Sequence, residues 1–205
     1  MTASAAAPAP TTTHLLYLHG FRSSPQSMKA AKLAAWAATR PGLTWWCPQL
    51  PPSPAEAMAL VRAGTRDWPA GRRAVIGSSL GGFYATALAN DGGWRAVLIN
   101  PAVHPARDLA RYIGEQTAWH DPAVRFFFRP EFIAELQALD PGAAREPAAV
   151  QTWVAQGDEV LDWREMAARH AATELHVLDG DDHALSSFDT HRDAMLRFVR
   201  LLQQG

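Results

Sequence analysis

The segment Gly77-Ser78-Ser79-Leu80-Gly81-Gly82 constrains this chain more than any other. A short apolar run, residues 73–76, enters it, and a helical pattern, residues 83–90, leaves it. A serine with glycines two residues to either side, between a strand and a helix, predicts a sharp and strained turn. Side chains at the flanking positions would collide across such a turn. The Ser79 hydroxyl then stands above the strand ends at a helix N-terminus, whose dipole favours developing negative charge. The spacing selects Ser79 over Ser78. Two blander readings compete: a Gly/Ser-rich turn without chemistry, and a phosphate-cradling loop. The second lacks the Lys-Ser/Thr ending of a P-loop.

The rest of the chain repeats the same alternation. His14–Leu18, then residues 43–46, 73–76, 96–99, Val150–Ala155 and 175–178, are short apolar runs that read as strands. Helical patterns lie between them. Ser24-Pro25 has the chemistry of a helix start, as does Ser53-Pro54-Ala55-Glu56, a capping-box pattern whose helix reaches about residue 66. Residues 163–172 read as a helix, and Met195, Phe198, Val199 and Leu202 mark one face of a terminal one. Strand and helix in repeated units predict an α/β fold: a mainly parallel sheet of about six strands flanked by helices. Residues 101–147, with Phe126-Phe127-Phe128, break the rhythm. They are expected to form a helical, lid-like insertion within a single domain over residues 14–205. Residues 1–13, rich in Ala, Pro and Thr, are expected to be a flexible tail.

Composition excludes several partner classes. The net charge is −1, so no basic excess draws nucleic acid or a membrane surface. No apolar stretch is long enough to span a bilayer. No basic start and apolar run marks a secretory leader, and the single cysteine, Cys47, suits a reducing compartment. A cytoplasmic location is therefore expected. The histidines form no metal-ligand spacing with Cys47, so neither metal nor other cofactor is expected.

A serine hydroxyl needs a base to become a nucleophile. Asp179-Gly180-Asp181-Asp182-His183 follows the last strand run, where the base of such a serine belongs, and His183 is the candidate. His176, inside the strand, and His191, at the terminal helix, are weaker rivals. The acid should leave the preceding strand, and Asp158 comes first out of it, behind Gly157. Glu159 and Asp162 are alternatives, Asp162 having a second explanation as a helix cap. An oxyanion hole needs two backbone N–H donors. Leu80, after the nucleophile, supplies one; Phe21, after the first strand, is chosen for the other. Gly20 lets the backbone pass close to substrate, and Ser23 is a candidate pocket residue. His19 reads as a support for that loop.

These segments resemble the YqiA-like small bacterial esterases of the α/β-hydrolase superfamily. The resemblance rests on Leu16-Tyr17-Leu18-His19-Gly20-Phe21, Ser23-Ser24-Pro25 and Ser27-Met28-Lys29-Ala30. It continues through Pro48-Gln49-Leu50-Pro51-Pro52, the Ser79 segment, Asn100-Pro101-Ala102, Gly157-Asp158-Glu159-Val160-Leu161-Asp162 and Asp182-His183-Ala184. It implies a compact α/β-hydrolase with esterase activity on short-chain or acyl-thioester substrates, and a triad of Ser79, Asp158 and His183. One departure is the extra acid in Gly180-Asp181-Asp182, expected to act on the base or on substrate charge. The expected partner is a small-molecule ester or thioester. Other chemistries of the same scaffold compete: peptidase, C–C hydrolase, perhydrolase, or a non-catalytic binding protein.

Overall fold

A computed structural model describes residues 11–121 and 123–203. In chain order the elements are β1 (His14–Leu18), α1 (Met28–Ala38), β2 (Thr44–Trp46), α2 (Pro54–Gly64) and β3 (Arg73–Ser78). They continue with α3 (Leu80–Asn90), β4 (Trp94–Ile99), α4 (Pro105–Leu109), β5 (Gly114–Thr117) and β6 (Arg125–Phe128). The last are α5 (Glu131–Leu139), β7 (Val150–Ala155), α6 (Trp163–Arg169), β8 (Glu174–Leu178) and α7 (Phe188–Phe198).

Six strands form one sheet in the order β2-β1-β3-β4-β7-β8, and every pairing in it is parallel. The expected α/β architecture is thus observed. The sheet buries both faces, in two cores. One holds Leu16, Leu18, Val75 and Leu98 with α2 and α3; the other holds Leu15, Tyr17, Ile76 and Val97 with α1 and α7. Alternate residues of one strand feed opposite cores, as the period of two requires. β1 and β3 are neighbours, yet the chain leaves them in opposite directions along the sheet, β1 toward β2 and β3 toward β4. That switch point opens a crevice beyond the carboxyl ends of β1 and β3, where open parallel sheets bind ligands.

Local chemistry explains α2 well. The Ser53 hydroxyl accepts from the Glu56 N–H at 3.1 Å, with Pro54 in the first turn. The same hydroxyl donates to Glu135 of α5 at 2.6 Å, tying α2 to the insertion.

Three expectations need correction. α1 starts at Met28, not behind Ser24: the Ser24 hydroxyl accepts from the Gln26 N–H at 3.1 Å in a local turn instead. The insertion is not wholly helical. Residues 114–117 and 125–128 pair antiparallel, so Phe126-Phe127-Phe128 is a strand with Phe128 buried and Phe127 exposed. Of the expected tail, residues 1–10 lie outside the described residues. Thr12 does not fit a tail: it is buried, and its hydroxyl donates to the Val199 carbonyl at 2.6 Å.

Candidate active site

Ser79 sits between β3 and α3 with φ 58° and ψ −121°, a conformation costly for a residue bearing a side chain. Its surroundings hold it there. The Ser79 N–H donates to the Ile99 carbonyl at 2.9 Å, and its carbonyl accepts from Gly82 at 2.8 Å and Ala102 at 3.0 Å. The flanking glycines are sterically required. A methyl group on Gly77 would lie 2.2 Å from the Gly81 carbonyl oxygen, and one on Gly81 would lie 1.9 Å from that of Leu18.

The loop after β8 brings His183 to this turn. Its Nε2 is 3.0 Å from Ser79 Oγ and its Nδ1 is 2.7 Å from Asp158 Oδ2. The Asp158 side chain is wholly buried, and its other oxygen accepts from the N–H groups of Val160 and Leu161, each at 2.8 Å. With a carboxylate accepting at Nδ1, that nitrogen carries the proton and Nε2 is left to accept from the serine hydroxyl. Gly157 lets the strand end that bears Asp158 pass the loop that bears His183, since a methyl there would lie 2.1 Å from the Asp181 carbonyl oxygen.

The rival residues are engaged elsewhere. His176 bonds Glu174 at 3.1 Å and stacks on Trp153, and His191 also packs on Trp153. Asp162 caps α6 through the Arg164 N–H at 2.9 Å. Glu159 accepts from the backbone N–H of His183 at 3.0 Å, so it touches the base's main chain and not its ring. The carboxylates of the extra acid segment are engaged with serines instead. Asp181 takes the Ser187 hydroxyl, and Asp182 takes the Ser186 hydroxyl at 2.6 Å. The Ser186 bond, aided by the Lys29 ammonium, holds the Asp182 carboxyl below its ordinary range.

The backbone N–H groups of Leu80 and Phe21 have no acceptor among the described residues, and both residues border the cavity that holds Ser79 and His183. The Phe21 ring packs on Tyr112, Phe126 and Phe128 of the insertion. Arg22 strengthens that link: it donates to the Thr117 carbonyl at 2.6 Å and lies 4.2 Å from the Trp119 ring centroid. Gly20 lies against Ser79, since a methyl on it would be 3.4 Å from Ser79 Oγ. His19 is buried. Its Nδ1 donates to the Gly20 carbonyl at 2.9 Å, and its Nε2 accepts from the Leu50 N–H at 3.2 Å. Burial pushes its pKa down, which suits a neutral ring holding two loops together.

Ser79 and His183 open into a cavity of about 330 Å³ walled by Leu109, Tyr112 and Leu161. A larger cavity of about 780 Å³, containing Gly20, Ser23, Leu50 and Tyr84, adjoins it across Phe21, Arg22 and Leu80. Among the described residues no group of three or more His, Cys, Asp or Glu side chains is placed to hold a metal ion. No helix among them is long and apolar enough to cross a membrane.

Sequence reasoning passed over three residues of this region. Arg22 is one. Lys29 of α1 is another; it is buried, and its ammonium donates to the Ala184 carbonyl beside the base. Asn100, at the end of β4, is the third, and its side chain reaches the same loop. An asparagine directly after a buried strand was the available signal.

Solved structures share the whole architecture. A putative hydrolase from Agrobacterium vitis S4 superposes with a TM-score of 0.72 at 17% identity, over 93% of this chain and 91% of that one. A metagenome-derived lipolytic enzyme gives 0.70 at 18% identity, covering 93% and 94%. The monoacylglycerol lipase of Paleococcus ferrophilus gives 0.67 at 15% identity, covering 94% and 96%. At these identities the likeness establishes the α/β-hydrolase fold. The family described as uncharacterised protein family UPF0227, the YqiA family, matches residues 14–200, and this chain belongs to it.

Proposed function

We propose that this protein is a serine esterase acting on carboxylic ester or acyl-thioester bonds. The observation that carries the reading is the unbroken chain from Ser79 Oγ to His183 Nε2 at 3.0 Å and from Nδ1 to Asp158 at 2.7 Å. It begins at a strained turn, in a cavity bordered by Leu80 and Phe21, whose N–H groups have no acceptor among the described residues. Similarity to a lipolytic enzyme and a monoacylglycerol lipase supports the same class of bond.

In this reading His183 removes the Ser79 proton as Oγ attacks the carbonyl carbon. The electron pair of the carbonyl moves to oxygen, and the N–H groups of Leu80 and Phe21 hold that oxyanion. His183, now protonated and stabilised by Asp158, donates its proton to the leaving oxygen or sulfur as that bond breaks. An acyl-Ser79 remains. His183 then takes a proton from water, which attacks the acyl carbon; collapse returns the proton to Ser79 and releases the acid. Gly20 and Ser23 border the acyl-bearing substrate. The chemistry needs no cofactor and no macromolecular partner, and it belongs to a single domain over residues 14–205 whose insertion acts as a lid.

The test combines fluorophosphonate labelling with hydrolysis of p-nitrophenyl esters and acyl thioesters. The wild-type protein is expected to label and to turn over at least one series. Ser79→Ala is expected to abolish both while leaving the circular dichroism unchanged. Full turnover by that variant would remove Ser79 from the reaction.

A further inference from the structure

Asn100 follows β4 directly and is wholly buried, with φ 42°. Asparagine tolerates this left-handed conformation better than most residues. Its backbone N–H donates to the Trp153 carbonyl at 2.8 Å. Its side chain makes three further bonds. Oδ1 accepts from the Ala155 N–H at 2.8 Å, and Nδ2 donates to the carbonyls of Asp182 at 3.0 Å and His183 at 3.1 Å.

One carboxamide therefore joins two places. Ala155 is the last residue of β7, three residues before Asp158. The other place is the main chain of the base itself. The bonds demand an acceptor and two donors on one short, planar group, which only a carboxamide provides. Its orientation is set as well, because exchanging oxygen and nitrogen would turn donors toward the Ala155 N–H and an acceptor toward two carbonyls. Asn100 touches neither the imidazole ring nor the cavity around Ser79.

We propose that Asn100 is a positioning residue for the hydrolysis proposed above: it holds the His183 loop against the strand end that bears Asp158. The inference rests on that reading for its kinetic consequence. Its structural consequence, the geometry of the His183–Asp158 bond, does not require turnover.

Asn100→Ala removes all three side-chain bonds, and Asn100→Gly does the same while accepting the positive φ. Val61→Ala, a buried change in α2 within the other core from Leu185 and Phe188, serves as a control for general destabilisation. Well below the unfolding midpoint, the Asn100 variants should lose about 10- to 100-fold in kcat, the range for misplaced catalytic groups, with little change in KM. The downfield proton resonance of the His183 Nδ1–H should broaden or vanish in them and persist in Val61→Ala. Wild-type kcat and resonance in either Asn100 variant would overturn the proposal. So would an equal effect in Val61→Ala, or failure of both Asn100 variants to fold. If the wild-type protein hydrolyses no ester, the esterase reading fails while the resonance still reports on Asn100.

Discussion

The Asp158 carboxylate and the His183 imidazole meet at 2.7 Å, yet the first side chain is wholly buried and the second is 21% exposed. The acid is packed beneath the ring while the ring's far edge reaches the cavity. The remaining Asp158 oxygen is occupied by two backbone N–H groups, so the carboxylate cannot turn away from the imidazole without breaking them.

Asp158→Asn keeps the shape of this contact and reverses its polarity. An amide nitrogen facing Nδ1 favours the tautomer with the proton on Nε2, which cannot accept from Ser79. The expected loss in kcat is about 10⁴-fold, the size of this change in other triads, with the melting temperature nearly preserved. Steady-state kinetics with a p-nitrophenyl ester and a thermal melt check both halves.

Gly20→Ala should reduce activity with little effect on folding. The added methyl would sit 3.1 Å from Ser79 Cβ and 3.4 Å from Oγ, so it crowds the Ser79 hydroxyl and, in the proposed reaction, the approach of the carbonyl carbon. A displacement of this kind costs up to about 100-fold in rate. Retained fluorophosphonate labelling at the wild-type rate would contradict it.

Gly157→Ala should damage stability and activity together. A methyl 2.1 Å from the Asp181 carbonyl oxygen meets backbone, which cannot rotate aside as a side chain could. Overpacking of this kind costs about 1–3 kcal/mol. Urea unfolding should show the lower midpoint, and turnover should fall because the loop that moves carries His183.

His170 should make stability fall in mild acid. It is 2% exposed, its Nδ1 has no partner among the described residues, and burial, with Arg169 adding, lowers its pKa to about 4. The unfolded chain takes up a proton below about pH 6.5, which the folded ring refuses until about pH 4. The stabilisation is complete above pH 6.5 and is lost as pH falls through that window, by about 3 kcal/mol in all. Urea midpoints from pH 7 to pH 4 should fall more steeply for the wild type than for His170→Leu. Equal slopes would remove His170 as the cause.

Arg22→Ala should loosen the β5–β6 hairpin. It deletes the bond to the Thr117 carbonyl, a second at 2.9 Å to the Thr117 hydroxyl, and the contact with Trp119. Amide hydrogen exchange over residues 114–128 should accelerate while β3 and β4 keep their protection. The accompanying fall in kcat/KM would tie the insertion to the oxyanion loop through Arg22.

The sequence by itself determined what depends on near neighbours. The Ser79 turn is legible because Gly77 answers a clash with the Gly81 carbonyl nearby in the chain, although the glycine at 81 itself makes room for the distant Leu18 carbonyl; β1, β3, β4 and β7 are legible because each is an apolar run bounded by turn residues. The chain order of serine, acid and base, read against strand ends, then singled out Ser79, Asp158 and His183. Tertiary structure decided the rest. The hairpin at Phe126-Phe127-Phe128 exists because residues 114–117 pair with it, and a local pattern of apolar residues does not name its partner. α1 begins later than its capping chemistry suggests because the Ser24 hydroxyl closes a turn with Gln26, leaving residues 20–23 and Gln26 to line the cavities. Thr12 is held by Val199 across the domain. Asn100 reaches Ala155 and His183 over 55 and 83 residues of chain, and Lys29 reaches Ala184 over 155. Such bonds form only after the sheet has brought distant loops to one edge. Their energy depends on where every intervening strand has packed, and no window of sequence contains that information.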